Sequence, residues 1–212
     1  MRFLTVTRYI GLDISARSTG FAIIDRVETH GNLRFTPFNE GQLFLRHVGN
    51  IPIPASFQRK GETIKYTDGE RLHTLRTSLW EILDAYQPDV FIKEGLAMNF
   101  SRFRASEIVA KATGIVEEVI AGDFYKESHQ EILEYKPSTI KKEIAGHGKA
   151  DKLDVQKAVF RYFDPELFPS KIKRDKTIEY NDDATDAVAS VLTHFKKNGM
   201  SYWTDHSKEI AL

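Results

Sequence analysis

The sequence predicts an α/β domain, one central mixed sheet with helices packed on it. Three observations predict it. Patterned segments follow in the order three strands, helix, strand, helix, strand and then helices. The helical segments place apolar residues three and four apart, the pattern of helices laid against a sheet. A chain of 212 residues with 41% hydrophobic side chains buries a full core as one domain.

The first strand runs through Tyr9-Ile10-Gly11-Leu12-Asp13-Ile14, where Ile10, Leu12 and Ile14 alternate with small or polar positions. Ser15-Ala16-Arg17-Ser18 makes a turn, Thr19-Gly20 closes it, and Phe21-Ala22-Ile23-Ile24 is a second apolar strand. Gly20 suits a tight turn or a close backbone approach. Asp13 interrupts an apolar strand, which is costly unless something pairs with it. Two readings stand: a carboxylate hydrogen-bonded to the turn, or a metal ligand or phosphate-handling group at a strand end.

A third strand is expected over 32–48, broken at Thr36-Pro37, and residues 49–68 form an inserted polar arm punctuated by Pro52, Pro54 and Gly61. Thr67 or Asp68 caps a helix to Tyr86, buried through Leu72, Leu75, Leu79, Ile82, Leu83 and Tyr86. Gln87-Pro88 ends it. Residues 89–94 form a short strand with Glu94 at its end. Asn99 or Ser101 caps a long helix to about Gly122, and 130–135 is the last strand. Pro137 opens a helix that Gly146-His147-Gly148 breaks. A further helix covers 151–163, a charged connection 164–180, and a final helix 182–197, with the tail after Gly199 peripheral.

The bulk numbers exclude several classes. With no cysteine there is no disulfide, thiolate zinc site or cysteine nucleophile. Seven histidines without close ligand spacing argue against zinc hydrolysis. No stretch reads as a signal peptide or membrane span, so the expected location is cytoplasmic. The net charge is zero, which argues against a protein that coats nucleic acid indiscriminately. Between Lys136 and Lys176, however, eleven bases stand against six acids. Solvated helix faces or a polyanion site explain that excess.

Four carboxylates stand out. Asp13 and Glu94 end strands, and Asp183 and Asp186 are three apart on one helix and share a face. Asp182 beside them is a candidate cap. Together the four make an all-oxygen set suited to hard divalent ions, because converging carboxylates without a cation repel one another.

Four blocks in this order, IGLDISARSTGFAII, VFIKEG, YKPSTIKKEIAGHGKADKLDVQKAV and DDATDAVASVLTH, resemble the RuvC family of Holliday junction resolvases within the RNase H-like superfamily, and its phage-type branch. They cover just over a quarter of the chain. The resemblance implies an RNase H-like fold with a central five-stranded mixed sheet flanked by helices. It implies Asp13, Glu94, Asp183 and Asp186 as catalytic and metal-binding carboxylates holding two Mg²⁺ ions, with Mn²⁺ able to substitute. Lys141 and Lys152 match two catalytic lysines near the scissile phosphate. Arg17, Arg102, Arg104, Lys111, Lys142 and Lys149 are expected to hold DNA backbone. An aromatic wedge usual in the family after the second carboxylate is missing at Ala97, so Phe100 or Phe103 would serve at the junction. The implied activity is Mg²⁺-dependent resolution of four-way junctions by paired symmetric nicks, carried out by a homodimer in the cytoplasm of a bacterium or phage-infected host. The alternatives are a flap, fork or RNA–DNA hybrid nuclease of the same superfamily, and a catalytically silent DNA-binding module. A sugar-kinase or actin-like ATPase would need a second repeat of the opening Asp-to-Thr-Gly hairpin, which the chain lacks.

Overall fold

The computed structural model describes residues 3–30, 41–96, 103–124 and 131–204. Along the chain run Phe3–Ile14 (β1), Ser18–His30 (β2), Gly41–Pro52 (β3), Ser56–Arg59 (β4), Glu62–Lys65 (β5), Asp68–Tyr86 (α1) and Val90–Glu94 (β6). Phe103–Val119 (α2) ends in a wider π turn, Ile120–Phe124, followed by Leu133–Tyr135 (β7), Pro137–Ala145 (α3) and Lys152–Val159 (α4). Ser170–Ile172 (β8), Ile178–Tyr180 (β9), Asp182–Lys197 (α5) and Tyr202–Trp203 (β10) complete it.

The main sheet has the order β10-β3-β2-β1-β6-β7. β1, β2 and β3 are antiparallel, β6 runs parallel to β1, and β7 runs parallel to β6. The five expected strands are there. The sixth, β10, is two residues of the tail pairing parallel with Gly41 and Gln42, so the tail is part of the sheet rather than peripheral.

Both faces of the sheet are covered, which is why residues 21–24 of β2 read as a continuous apolar run. Ile10, Leu12, Phe21 and Ile23 pack on one face against Leu75, Leu79 and Leu83 of α1 and Ala112, Val116 and Val119 of α2. Tyr9, Ala22 and Ile24 pack on the other against Val188, Val191, Leu192 and Phe195 of α5. Of the stripe expected on α1, Leu72, Ile82 and Tyr86 are only partly buried. Two glycines bring α5 unusually close to the strands. A Cβ on Gly11 would stand 2.2 Å from the Ala187 carbonyl oxygen, and one on Gly20 would stand 1.9 Å from that of Asp183.

Caps fix the helix ends. Thr67 accepts from the Glu70 amide while Glu70 accepts from Thr67, a capping box that starts α1. Asp151 and Asp154 do the same for α4. That helix ends at Val159 rather than 163, because Phe160 turns to pack on Phe168 and Tyr180 at 5.1 and 4.8 Å. Asn181 caps α5 by accepting from the Ala184 amide, so Asp182 lies inside the first turn. The candidate caps Asn99 and Ser101 lie outside the described residues.

Two segments expected to be irregular are hairpins. Gly49–Pro52 belongs to β3, and β4 pairs with β5 around Lys60-Gly61, both with positive φ as a two-residue primed turn requires. Within 164–180, β8 pairs with β9. No described helix is long and apolar enough to cross a membrane.

Candidate active site

The register of β1 and β6 builds the first half of the site. Gly11 faces Ile92 and Leu12 faces Lys93, so the next step along both strands puts Asp13 beside Glu94. Gly11 lies against α5, and the alternation of a strand puts Asp13, two residues on, on that same face. Lys93 points the other way, buried at 5% exposure with ion pairs to Glu117 and Glu134. It ties α2 and β7 to the back of the strand that presents Glu94.

α5 supplies the second half. Asp13 is paired across the sheet with Gly20, and it is at Gly20 that the Asp183 backbone touches β2. Only a residue without a Cβ lets the first turn of α5 approach so closely. The Asp183 carboxylate accepts from the Ser18 hydroxyl and, at 3.4 Å, from Ser15. Asp186, one turn on, aligns toward Asp13 and Glu94.

The electrostatics show four acids crowded into a half-buried place. The Asp13 carboxyl is held well above the usual carboxylate range, by burial first and then by the charges of Glu94, Asp186 and Asp183. Burial and Asp186 push Glu94 up to about 7, with Lys141 and Lys152 working against the rise. Burial pushes Asp186 up to about 6, opposed by Lys152 and Lys141 and helped by Asp182 and Asp183. Lys152 loses some basicity to burial, but Asp186 and Asp182 outweigh that and raise it. Its ammonium stands 3.4 Å from Asp182, the only ion pair it makes among the described residues.

The structure thus brings Asp13, Glu94, Asp183, Asp186, Lys141 and Lys152 to one locality. Arg17 is exposed on the turn after β1, and Lys142 and Lys149 are exposed on α3 and the loop that follows. Arg104 is exposed near the start of α2, where its charge acts on Asp68. Lys111 is ion-paired to Asp68 and Glu107 at 3.1 and 2.7 Å, which blunts it as a phosphate contact. Phe100 and Arg102 lie outside the described residues, and of Phe103 only the backbone, opening α2, is within them. Ser15 and Ser18 have no distinguishing signature in sequence. Their role follows from a partner 168 and 165 positions away along the chain.

Among the described residues no three acidic or histidine side chains already stand together at metal-holding distance. The chemistry nevertheless fits. The set is all carboxylate oxygen, and three of its members are pushed up by burial and by one another, a cost that a hard cation relieves.

Comparison with known proteins gives a consistent family. The family model for crossover junction endodeoxyribonuclease RuvC matches residues 61–194, which include Glu94, Lys141, Lys152, Asp183 and Asp186. The chain is 28% identical over 194 residues to a crossover junction endodeoxyribonuclease RuvC of Prochlorococcus marinus, covering 92% of this chain and 99% of that one. It is 27% identical over 187 residues to that of Variovorax paradoxus, covering 88% and 83%. RuvC of Thermus thermophilus in complex with a Holliday junction superposes with a TM-score of 0.59 at 20% identity, over 91% of this chain and 94% of that one. The yeast mitochondrial Holliday junction resolvase superposes at 0.55 and 13% identity, over 96% and 81%. These structures share the fold, and the family match spans more than half the sequence: the chain belongs to the crossover junction endodeoxyribonuclease RuvC family.

Proposed function

We propose that this protein resolves four-way DNA junctions by metal-dependent hydrolysis of one phosphodiester on each of two opposed strands. The observation that carries the reading is the convergence of Asp13, Glu94 and Asp186, with raised carboxyl pKa values, beside Lys141 and Lys152 in a RuvC-family chain. Asp13, Glu94, Asp183 and Asp186 would hold two Mg²⁺ ions, or Mn²⁺ in their place. When bound, such ions supply an activated water and neutralise charge on the leaving oxygen. The remaining work falls to the protein. Lys152 and Lys141 offset the phosphate charge and orient it. The first turn of α5, held against Gly20, fixes Asp183 and Asp186 relative to β1. Arg17, Arg104, Lys142 and Lys149 hold backbone without reading bases.

The working unit is a two-fold dimer acting in a bacterial or phage-infected cytoplasm. The approximate symmetry of a four-way junction calls for two sites at once, and a C₂ pair supplies them. On α2, Ala105 is exposed and Val109 and Ile115 are half-buried, leaving apolar surface beyond what the core uses. The test is a panel of labelled linear duplex, flap, fork, four-way and RNA–DNA substrates in Mg²⁺, with a cruciform plasmid beside it. Preferential cutting of the four-way junction, and a cruciform converted mainly to linear DNA, are expected. Equal cutting of flaps or hybrids defeats the substrate reading, and accumulation of nicked circles defeats the dimer.

A further inference from the structure

The β8–β9 hairpin is rooted beside the acidic site, with Tyr180 at its base packed against the α5-side core. The Asn181 amide donates to the Pro169 carbonyl at 2.8 Å, and Asn181 is the cap of α5, so the hairpin joins directly to Asp182 and Asp183. Phe160, packed on Phe168 and Tyr180, steadies the root. The tip is a built turn. The Lys173 amide donates to Thr177 at 2.8 Å, and Asp175 accepts from the Thr177 amide at 3.0 Å and from its hydroxyl at 2.6 Å.

Its charges divide in two. Lys171 and Lys173 share one counter-charge, Glu179, at 3.3 and 2.9 Å. Arg174 and Lys176 at the tip are exposed and make no ion pair among the described residues. Beside them Ile172 and Ile178, cross-strand partners, are 76% and 56% exposed. A groove of about 880 Å³ connects the hairpin to the acidic site, lined among others by Ser15, Arg17, Lys152, Lys171, Tyr180 and Asp183.

We propose that this hairpin is a DNA-gripping arm: Arg174 and Lys176 hold phosphates of the duplex leaving the groove, and the Ile172–Ile178 pair lies against its minor groove. The proposal rests on the junction-cutting reading and adds to it a contact outside the catalytic locality. A strand whose scissile phosphate sits at Asp183 has the groove as its exit, and the hairpin forms one wall of that exit. Apolar side chains flanked by cations are the surface that minor-groove binders present. Unpaired cations at the tip suit a polyanion and repel the same tip on a second copy.

The test uses the full chain and a labelled four-way junction in EDTA, with affinity measured over a range of monovalent salt. R174A/K176A should flatten the log–log salt dependence by about 1.8, and weaken binding about 60-fold at 0.1 M salt, at 0.9 per lost phosphate contact. I172S/I178S should weaken binding with the slope unchanged, because an apolar contact releases no counterions. An R174A/K176A slope equal to wild type overturns the proposal. So does an I172S/I178S protein whose mass by light scattering drops from dimer to monomer, since the pair would then be an interface between copies. The two readings fail separately. Wild type that does not cut the junction in Mg²⁺ sinks the function, while wild type that cuts, with an unchanged variant slope, sinks the arm alone.

Discussion

Gly20→Ala tests how the acidic site is assembled. The added Cβ would stand 1.9 Å from the Asp183 carbonyl oxygen and 2.2 Å from its carbonyl carbon, where ordinary contact begins at 3.4 Å. The obstacle is backbone and cannot rotate aside. The first turn of α5 must therefore retreat by about 1.5 Å, the gap between those distances, and carry Asp183 and Asp186 away from Asp13. A misplacement of about 1 Å in a reacting constellation costs about 100-fold. Single-turnover cleavage of a labelled four-way junction should fall by at least about that factor, with junction affinity kept within about threefold because no cation is lost. Overpacking costs about 1–3 kcal/mol, which at this size lowers the melting temperature by about 2–4 °C per kcal/mol and leaves the protein folded at 25 °C. The control is Leu79→Ala on the opposite face of the sheet, fully buried in the α1–α2 core. It should cost about 2–5 kcal/mol, at least as much stability, and cut within about threefold of wild type. Gly20→Ala cutting as fast as Leu79→Ala would refute the reasoning.

Two further predictions concern the charges. The Glu94 carboxyl, at about 7 in the fold against an ordinary 4.5, binds its proton more tightly folded than unfolded. Metal-free protein therefore loses stability as the pH rises between those values, and Glu94→Gln should stabilise it against thermal unfolding in EDTA by at most about 3 kcal/mol at about pH 8, and by much less at about pH 5. Equal gains at the two pH values would contradict the burial of this acid. Lys152→Ala and Lys141→Ala should each slow single-turnover cleavage about 10- to 100-fold while affecting affinity less. If both weaken binding with the saturated rate intact, the lysines are phosphate anchors only.

Much of the site was legible because its parts follow local rules. Asp13 and Glu94 interrupt apolar strands at their ends, and Asp183 and Asp186 share a helix face by spacing alone. The parts that were not legible depend on contacts distant in sequence or on very short segments. Ser18 acquires its role from Asp183, and Gly11 from the Ala187 carbonyl. β10 has two residues, too few to show a period. β4 and β8 have no buried face, so the alternation that marks a strand is absent from them. Asn181 and Asp182 are equally good capping residues, and only the backbone geometry selects Asn181 and frees Asp182 to pair with Lys152.

The proposed function requires four acids from β1, β6 and α5 to form one hydrolytic site. It is tested most directly by single-turnover cleavage of a four-way junction in Mg²⁺ by wild type, Asp13→Asn, Glu94→Gln, Asp183→Asn and Asp186→Asn, with affinity measured alongside. The account predicts symmetric nicks from wild type and at least about a 1,000-fold loss in each variant, with binding equal or tighter because a negative charge beside phosphate is gone. Near-normal cutting by any two of the four variants would contradict it.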